Sequence, residues 1–419
     1  MRKQKWIRKG LAVLLTATMV AGLVPDVGTV KVFATEADGG AATEQGYDAD
    51  GFCTGFKFDE GGNWVKDEGS STPCTHGETC NGYQPAVEEQ LDYDINGDDK
   101  VDADDKAYKI GNAGQLYWFA DKVNNDYENY GSANAVLTDN ITVNSGLECK
   151  NGLLDSLVYD EETEAVTNGA SFRSWTPIGA YATPYSGIFD GQGKTVSGFF
   201  SNTEKSYVGL FGANNGTIKN VGVADSYFKG VQSTGGVCGG NKEKGIIDNC
   251  HNDGKVIGIG DNLSIAGGVC GKNNNKITNC YNTGIVTGSG NDVGGVCGHT
   301  LAGTPIIENC YNTGIVTGSG NHVGGVCGYA YAKGTTISNC YNTGEVIASG
   351  QYAGGVCGEL YINGSIKNCY NTGNVTGANN VGGVAGFIRD ASVSNCYSSG
   401  MVKGTAESPK VGGIGGELV

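Results

Sequence analysis

From Tyr207 onward, apolar and polar positions recur with a fixed long period. Aligned on Ile-x-Asn-Cys, the cysteine of this motif falls at 250, 280, 310, 340, 369 and 396, at intervals of 30, 30, 30, 29 and 27 residues. A period of this length marks a solenoid, in which each unit buries its apolar face only against its neighbours. Within a unit, short apolar triplets are punctuated by glycine ("VGGVCG", "TISNCYNTG", "EVIASG"), and no window holds an apolar stripe of helical period. The pattern predicts an all-β fold, a parallel β-solenoid (β-helix) of about 30-residue coils, each with roughly three short strands stacked ~4.8 Å from the next.

Comparing the units separates inward from outward positions. The residue after the Ile is always polar (Lys219, Asp248, Thr278, Glu308, Ser338, Lys367, Ser394) and so faces water. Next comes Asn220, Asn249, Asn279, Asn309, Asn339, Asn368 or Asn395, and then Val221 or a cysteine, which points inward. Ile and Cys three residues apart both face inward only if the backbone bends at the Asn. Asn tolerates the left-handed conformation, and stacked copies can share an amide ladder. The following residue turns outward: Gly222, His251, then Tyr281, Tyr311, Tyr341, Tyr370 and Tyr397. That tyrosine column reads either as a flat ledge for a sugar or protein ligand or as a stabilising aromatic ladder without one.

Upstream, "IGNAGQLYWFADKVN" predicts a helix with Leu116, Phe119, Ala120 and Val123 on one face and Asn112 as N-cap. A solenoid needs its first coil covered, so this helix belongs to an N-terminal cap. At the other end "VGGIGGELV" begins another unit and stops. Such an uncapped coil invites end-to-end association with another chain over Val411 to Val419. The organisation expected is a secretory signal peptide over 1–34, a Cys-containing segment with an acidic loop over 35–105, the cap and first coils over 106–206, and the repeat array over 207–419.

The units "VGGVCGYAYAKGTTISNCYNTGEVIASG" resemble the GLUG motif of bacterial secreted and surface proteins, including stalk regions of some immunoglobulin A proteases. The segment "NAGQLYWFADKVN", with "WTPIG" and "FDGQGKTVSG", resembles the region that commonly precedes such arrays. Over roughly residues 106 to 419 the resemblance implies a β-solenoid outside the cell or on its surface.

Charge and cysteine content narrow the chemistry. Arg2, Lys3, Lys5, Arg8 and Lys9 precede an apolar run from Leu11 to Val24, too short for a comfortable membrane span and suited to export. Cleavage after Ala34 leaves 22 Lys and Arg against 43 Asp and Glu, a net charge of −21 that argues against nucleic acid as a partner. No other segment resembles a membrane span. Of the fifteen cysteines, those of the repeats read as disulfides, a metal ladder or core filler. Phe211, Val221 and Ala385 stand where other units carry Cys, which favours filler, with intra-repeat disulfides as the competing reading.

Two motifs carry candidate metal chemistry. In "DINGDDKVDADD", Asp94, Asn96, Asp98, Lys100 (through its carbonyl), Asp102 and Asp105 occupy positions 1, 3, 5, 7, 9 and 12 of a calcium loop. The loop also resembles half of a dockerin module, although Asp99 replaces the usual turn glycine and no second loop follows. Cys53, Cys74, His76 and Cys80 are ligand types that zinc accepts, and equally a disulfide with one spare thiol or a set of unpaired thiols. No recognised catalytic motif is present. The four histidines are scattered, and the acids lie mostly before residue 165. The expectation is a secreted or cell-surface stalk or adhesive module for a host, glycan or protein ligand, presenting loops such as "HTLAGTP" and "YAYAKGT". The competing class is a carbohydrate-active β-helix enzyme or an accessory subunit of a polysaccharide-degrading system.

Overall fold

A computed structural model describes residues 56–58, 64–66, 85–150, 153–160, 165–261 and 263–419. The segment read as a signal peptide and the Cys53, Cys74, His76 and Cys80 set lie outside the described residues. The fold is an all-β parallel solenoid whose coils pass through four sheets, here A to D. One coil shows the path: Lys276–Thr278 and Tyr281–Asn282 lie on sheet A, Val286–Gly288 on B, Asp292–Gly294 on C and Cys297–Thr300 on D. Each coil thus carries five short strands rather than three, because bends at the Asn and at Gly-Gly interrupt what the apolar pattern reads as continuous. Stacking is in register, Ile277 lying between Ile247 and Ile307, and Cys297 between Cys270 and Cys327.

The bend at the Asn is left-handed in all seven units, with φ between 51° and 56°. Its amides form the expected ladder on the surface: Asn249 Nδ2 donates to Asn220 Oδ1 at 2.8 Å, and Asn309, Asn368 and Asn395 repeat the contact one coil on. The ladder breaks at Asn279, whose amide turns to Asp248.

The bend also explains the cysteine that follows it. Rotation at the Asn takes the next N–H out of the strand ladder, where a buried orphan donor would be costly. Cys310 N–H instead donates to the Cys340 sulfur one coil on, at 3.4 Å, and Cys250, Cys340 and Cys369 do the same with Cys280, Cys369 and Cys396. Each thiol in turn donates to the carbonyl two residues before it, Cys340 to Ser338 at 3.1 Å. The sulfur therefore satisfies backbone as well as filling volume. The eleven cysteines from Cys238 onward are free, ten of them buried. Burial pushes the Cys270, Cys280 and Cys340 thiols well above the ordinary range. Burial acts in the same direction on Cys310, against hydrogen bonds from Cys280 and Cys340 that pull it down. A lone thiolate there would be sealed from water, so we place Cys310, like its neighbours Cys280 and Cys340, above the usual thiol range.

A second amide column runs inside the solenoid. Asn252, Asn282, Asn312, Asn342 and Asn371 are wholly buried. Each Nδ2 donates to the next Asn Oδ1 at 2.8 Å, ending on Ser398 Oγ, and also to a glycine carbonyl two residues along its own coil. These side chains lie against the second glycine of Val-Gly-Gly: a Cβ on Gly325 would stand 2.4 Å from Asn342, and one on Gly355 2.3 Å from Asn371. On the two sides of this crossbar lie separate apolar cores. One gathers the Ile of sheet A, the Cys columns and the Val of Gly-Gly-Val; the other gathers valines such as Val286, Val316, Val293 and Val323.

At the N-terminal end the helix Ala113–Asn125 forms as expected, with Asn112 Oδ1 accepting from the Gln115 N–H and Leu116, Phe119, Ala120 and Val123 buried. Phe119 packs on Tyr185 and Phe189, and both reach Phe211 of the first coil, so cap and array share one core. The sheet ends on Val87–Gln90, antiparallel to Lys106–Ile110, which in turn pairs in parallel with Ala135–Leu137. At the other end Val411, Ile414, Leu418 and Val419 are exposed.

Replacing Asn312 with Ala removes the acceptor of Asn282 and the donor to Asn342; denaturant unfolding should show a loss of about 2–5 kcal/mol. Asn339→Ala, at the exposed bend, should cost only about 1–2 kcal/mol, from the left-handed backbone. In the native protein the ten buried thiols should resist an aromatic disulfide reagent and react only on unfolding, as peptide mass spectrometry would show, whereas half-buried Cys396 should react first among the eleven.

Candidate functional site: a groove between two sheets

The tyrosine column is a stack. His251, Tyr281, Tyr311, Tyr341, Tyr370 and Tyr397 follow one another at ring-centroid distances of 4.6, 4.8, 4.8, 4.9 and 5.2 Å, with planes within 5° of parallel. It ends on Gly222 because the His251 ring occupies that space: a Cβ there would stand 2.4 Å from the imidazole. Each ring face is covered by the next ring, so the column offers edges and hydroxyls to solvent. Stacking of a sugar on a ring face needs a free face, and among the five tyrosines only Tyr397, 55% exposed, is largely open.

The acidic loop closes the antiparallel pair at the N-terminal edge. Asp94 accepts from the Gly97 and Asp99 N–H groups, Asn96 from Asp98, Asp98 from Lys100 and Asp102 from Asp104. Asp105 is wholly buried and accepts from Ile95 and Asp102, and the Asp102 N–H holds its carboxyl below the usual range. Asp99 adopts φ 65°, so it makes without glycine the turn that the spacing demands. Among the described residues no three His, Cys, Asp or Glu side chains stand together at metal-ligand separations.

A different site emerges where sheets C and D meet. In every coil the residue just before Val-Gly-Gly-Val-Cys-Gly (or one variant position within that run) and the residue just after it face each other across the Gly-Gly bend. Along the stack these positions hold Ile265 and Lys272, Asp292 and His299, His322 and Tyr329, Tyr352 and Glu359, Asn380 and Phe387, and Lys410 and Glu417. No two coils carry the same pair, although the frame around them hardly changes. Asp292 Oδ2 bonds His299 Nδ1 at 2.7 Å and Oδ1 bonds His322 Nδ1 at 2.6 Å, while His322 Nε2 reaches Glu359 Oε2 at 3.0 Å. Tyr329 stacks on His322 at 4.1 Å, and Tyr331 on Tyr361 at 5.2 Å with Arg389 over the Tyr361 ring. At the far end Lys410 pairs with Glu417.

This cluster corrects the picture of scattered histidines and of acids lying mostly before residue 165. His299 and His322 come from different coils and share one carboxylate. Sequence spacing hides this because partners in neighbouring coils are about 30 residues apart; the signal available was the variability of the positions flanking an invariant run. His299, Tyr329 and Tyr331 belong to the variable loops "HTLAGTP" and "YAYAKGT" or immediately precede them, so those loops do border the site.

A cavity of about 450 Å³ opens over the cluster, between Tyr207 and Tyr329, with Lys272, Asp292, His299 and His322 on its lining. The electrostatics are those of a desolvated network. Burial raises Asp292, but hydrogen bonds from His299 and His322 outweigh it and hold the carboxyl below its ordinary 3.8. Burial lowers His322, but Asp292 and Glu359 outweigh it and hold the imidazole above its ordinary 6.5. Lys272 is lowered by burial, with Asp292 opposing.

Comparison with family models agrees on the repeat. The GLUG motif model matches residues 319–347, 349–376 and 377–403. A Gly-rich membrane protein of Evansella cellulosilytica is 38% identical over 80 residues, 18% of this chain and only 9% of that protein. A crystal structure from Bacteroides ovatus, described as an immunoglobulin A1 protease, aligns with a TM-score of 0.45 at 22% identity, over 73% of this chain and 85% of that one. Among the described residues no helix is long and apolar enough to cross a membrane.

The network predicts a pH signature. His322 is raised, so its stabilisation is complete below its unfolded value near 6.5 and fades as pH climbs through the folded one. Asp292 is lowered, so its contribution is present above 3.8 and fades as pH falls through the folded value. The groups facing His322 are Asp292, Glu359, Tyr329 and Tyr352, with His299 reached through Asp292. Thermal melts of the wild type and His322→Gln should differ most at about pH 5 and converge as pH rises above the folded His322 value.

Proposed function

We propose that this chain is an exported, surface-associated solenoid that acts as a stalk and binding module, and that the groove between sheets C and D is its binding face. The observation that carries this reading is the distribution of difference: Ile, Asn, Cys and Gly-Gly repeat because they build the coil, whereas the pairs flanking Gly-Gly change with every coil. A scaffold requires the first set to be constant, but it places no such demand on the second. The tyrosine column, constant over five coils, belongs with the scaffold; each stacked pair contributes about 0.5–1.5 kcal/mol beyond its area. The signal-like N-terminus and the GLUG repeats support a location at or outside the cell surface.

A carbohydrate-active enzyme is the second reading, favoured by one observation: Asp292 orients His299 through Nδ1, the geometry of a general base. The calcium reading rests on the spacing of Asp94 to Asp105 and on the turn at Asp99.

In a screen of the full chain against arrayed surface glycans and proteins, His299→Ala and Tyr329→Ala should weaken any ligand found by at least tenfold. Tyr341→Ala should leave binding intact and lower only the melting temperature. Equal binding by all variants would remove the groove from consideration, and new reducing ends from a bound glycan would favour the enzyme. Calorimetric titration of calcium should show one site that Asp94→Ala abolishes; absence of heat would dismiss the calcium reading.

A further inference from the structure

The groove carries a charge arrangement that its own residues leave incomplete. Lys272 lies one coil before His299 in the same column, half-buried on the cavity lining. The carboxylate that faces it is Asp292, and both oxygens of Asp292 are already engaged, one by His299 and one by His322. The Nε2 of His299 is enclosed without a hydrogen-bond partner. In a chain of net charge −16, a half-buried ammonium beside two imidazoles that share the one facing carboxylate is an exception that an added anion would complete.

The walls narrow the class of anion. Tyr207 closes one end with φ 62°, a backbone conformation costly for an aromatic residue and retained only where its surroundings impose it. Its backbone and ring lie over Gly239 and Gly240, where a Cβ would stand 2.7 and 3.0 Å from Tyr207 atoms. Tyr181 stacks on it at 4.8 Å beneath the Lys242 ammonium. Gln232 and Ser233 add hydrogen-bonding groups to the lining, and Leu263, Ile265 and Leu301 add apolar surface. Aromatic surface, dispersed hydroxyl and amide partners and the half-buried Lys272 ammonium, in about 450 Å³, match one or two sugar rings bearing a carboxylate.

We propose that the groove binds a uronic-acid unit of an acidic glycan, with Lys272 receiving the carboxylate and the edge of Tyr207 bordering the sugar. This rests on the groove being the binding face and adds the ligand class. An acidic peptide is disfavoured because the strands flanking the groove are paired on both sides in the stack, leaving no edge to hydrogen-bond an extended backbone.

Calorimetry on the full chain with digalacturonate and diglucuronate, their uncharged disaccharide counterparts and a hexaglutamate peptide tests this. At least one diuronate should bind ten or more times tighter than its neutral counterpart and the peptide. Lys272→Gln should lose that preference at unchanged melting temperature, and Tyr207→Asn, which tolerates the left-handed backbone, should weaken binding. No binding of either diuronate, equal binding of the neutral sugar or the peptide, or an unaltered Lys272→Gln preference would overturn the proposal. Equal binding of charged and neutral sugars that Tyr207→Asn weakens would reject the acidic ligand and leave the groove reading intact, whereas binding indifferent to both variants would reject both.

Discussion

The structure depends on a polar group placed where an apolar one is expected. Asn252, Asn282, Asn312, Asn342 and Asn371 cross the interior of successive coils, each bonded to the next and to its own coil, and each resting on a glycine of Gly-Gly. A buried amide is tolerable only when every donor and acceptor is used, and stacking in register is the arrangement that uses them. A slip of one residue would set each amide beside the residue flanking the next Asn and break the chain of amides. The column therefore ties coil to coil more specifically than valine packing does, and it compels the glycines that bend sheet C into sheet D.

Everything variable is built on that bend. Because Gly-Gly turns sharply, the residue before it and the residue after it converge, and the frame sets their separation whatever they are. The protein thereby obtains a row of side-chain pairs that differ from coil to coil at no cost to the stack. Asp292, His299, His322 and Glu359 form one network only because three consecutive coils place their pairs one above another.

The period, the parallel stacking, the capping helix and the bend at Asn were legible in the sequence, because each leaves a mark that repeats or a local cap signature. The inner amide column was not, although its Asn recurs in five consecutive units. Polarity directs such a residue outward in any reading by pattern, and only the three-dimensional stack supplies the partners that let it turn in. The cysteines were read correctly as core, but their second task, accepting the N–H freed by the bend, follows from backbone geometry that composition does not reveal. The groove stayed hidden for a related reason: variable positions look like noise until the fold brings them to one line.

The measurement that bears most directly on this account is a crystal structure of the full chain with sulfur anomalous scattering. The account predicts Asn312 inside, bridging Asn282 and Asn342 against Gly295, with the repeat sulfurs in two columns and none bonded to another. Sulfur pairs at the bonding distance of about 2.05 Å, or inner asparagines turned to solvent, would contradict it.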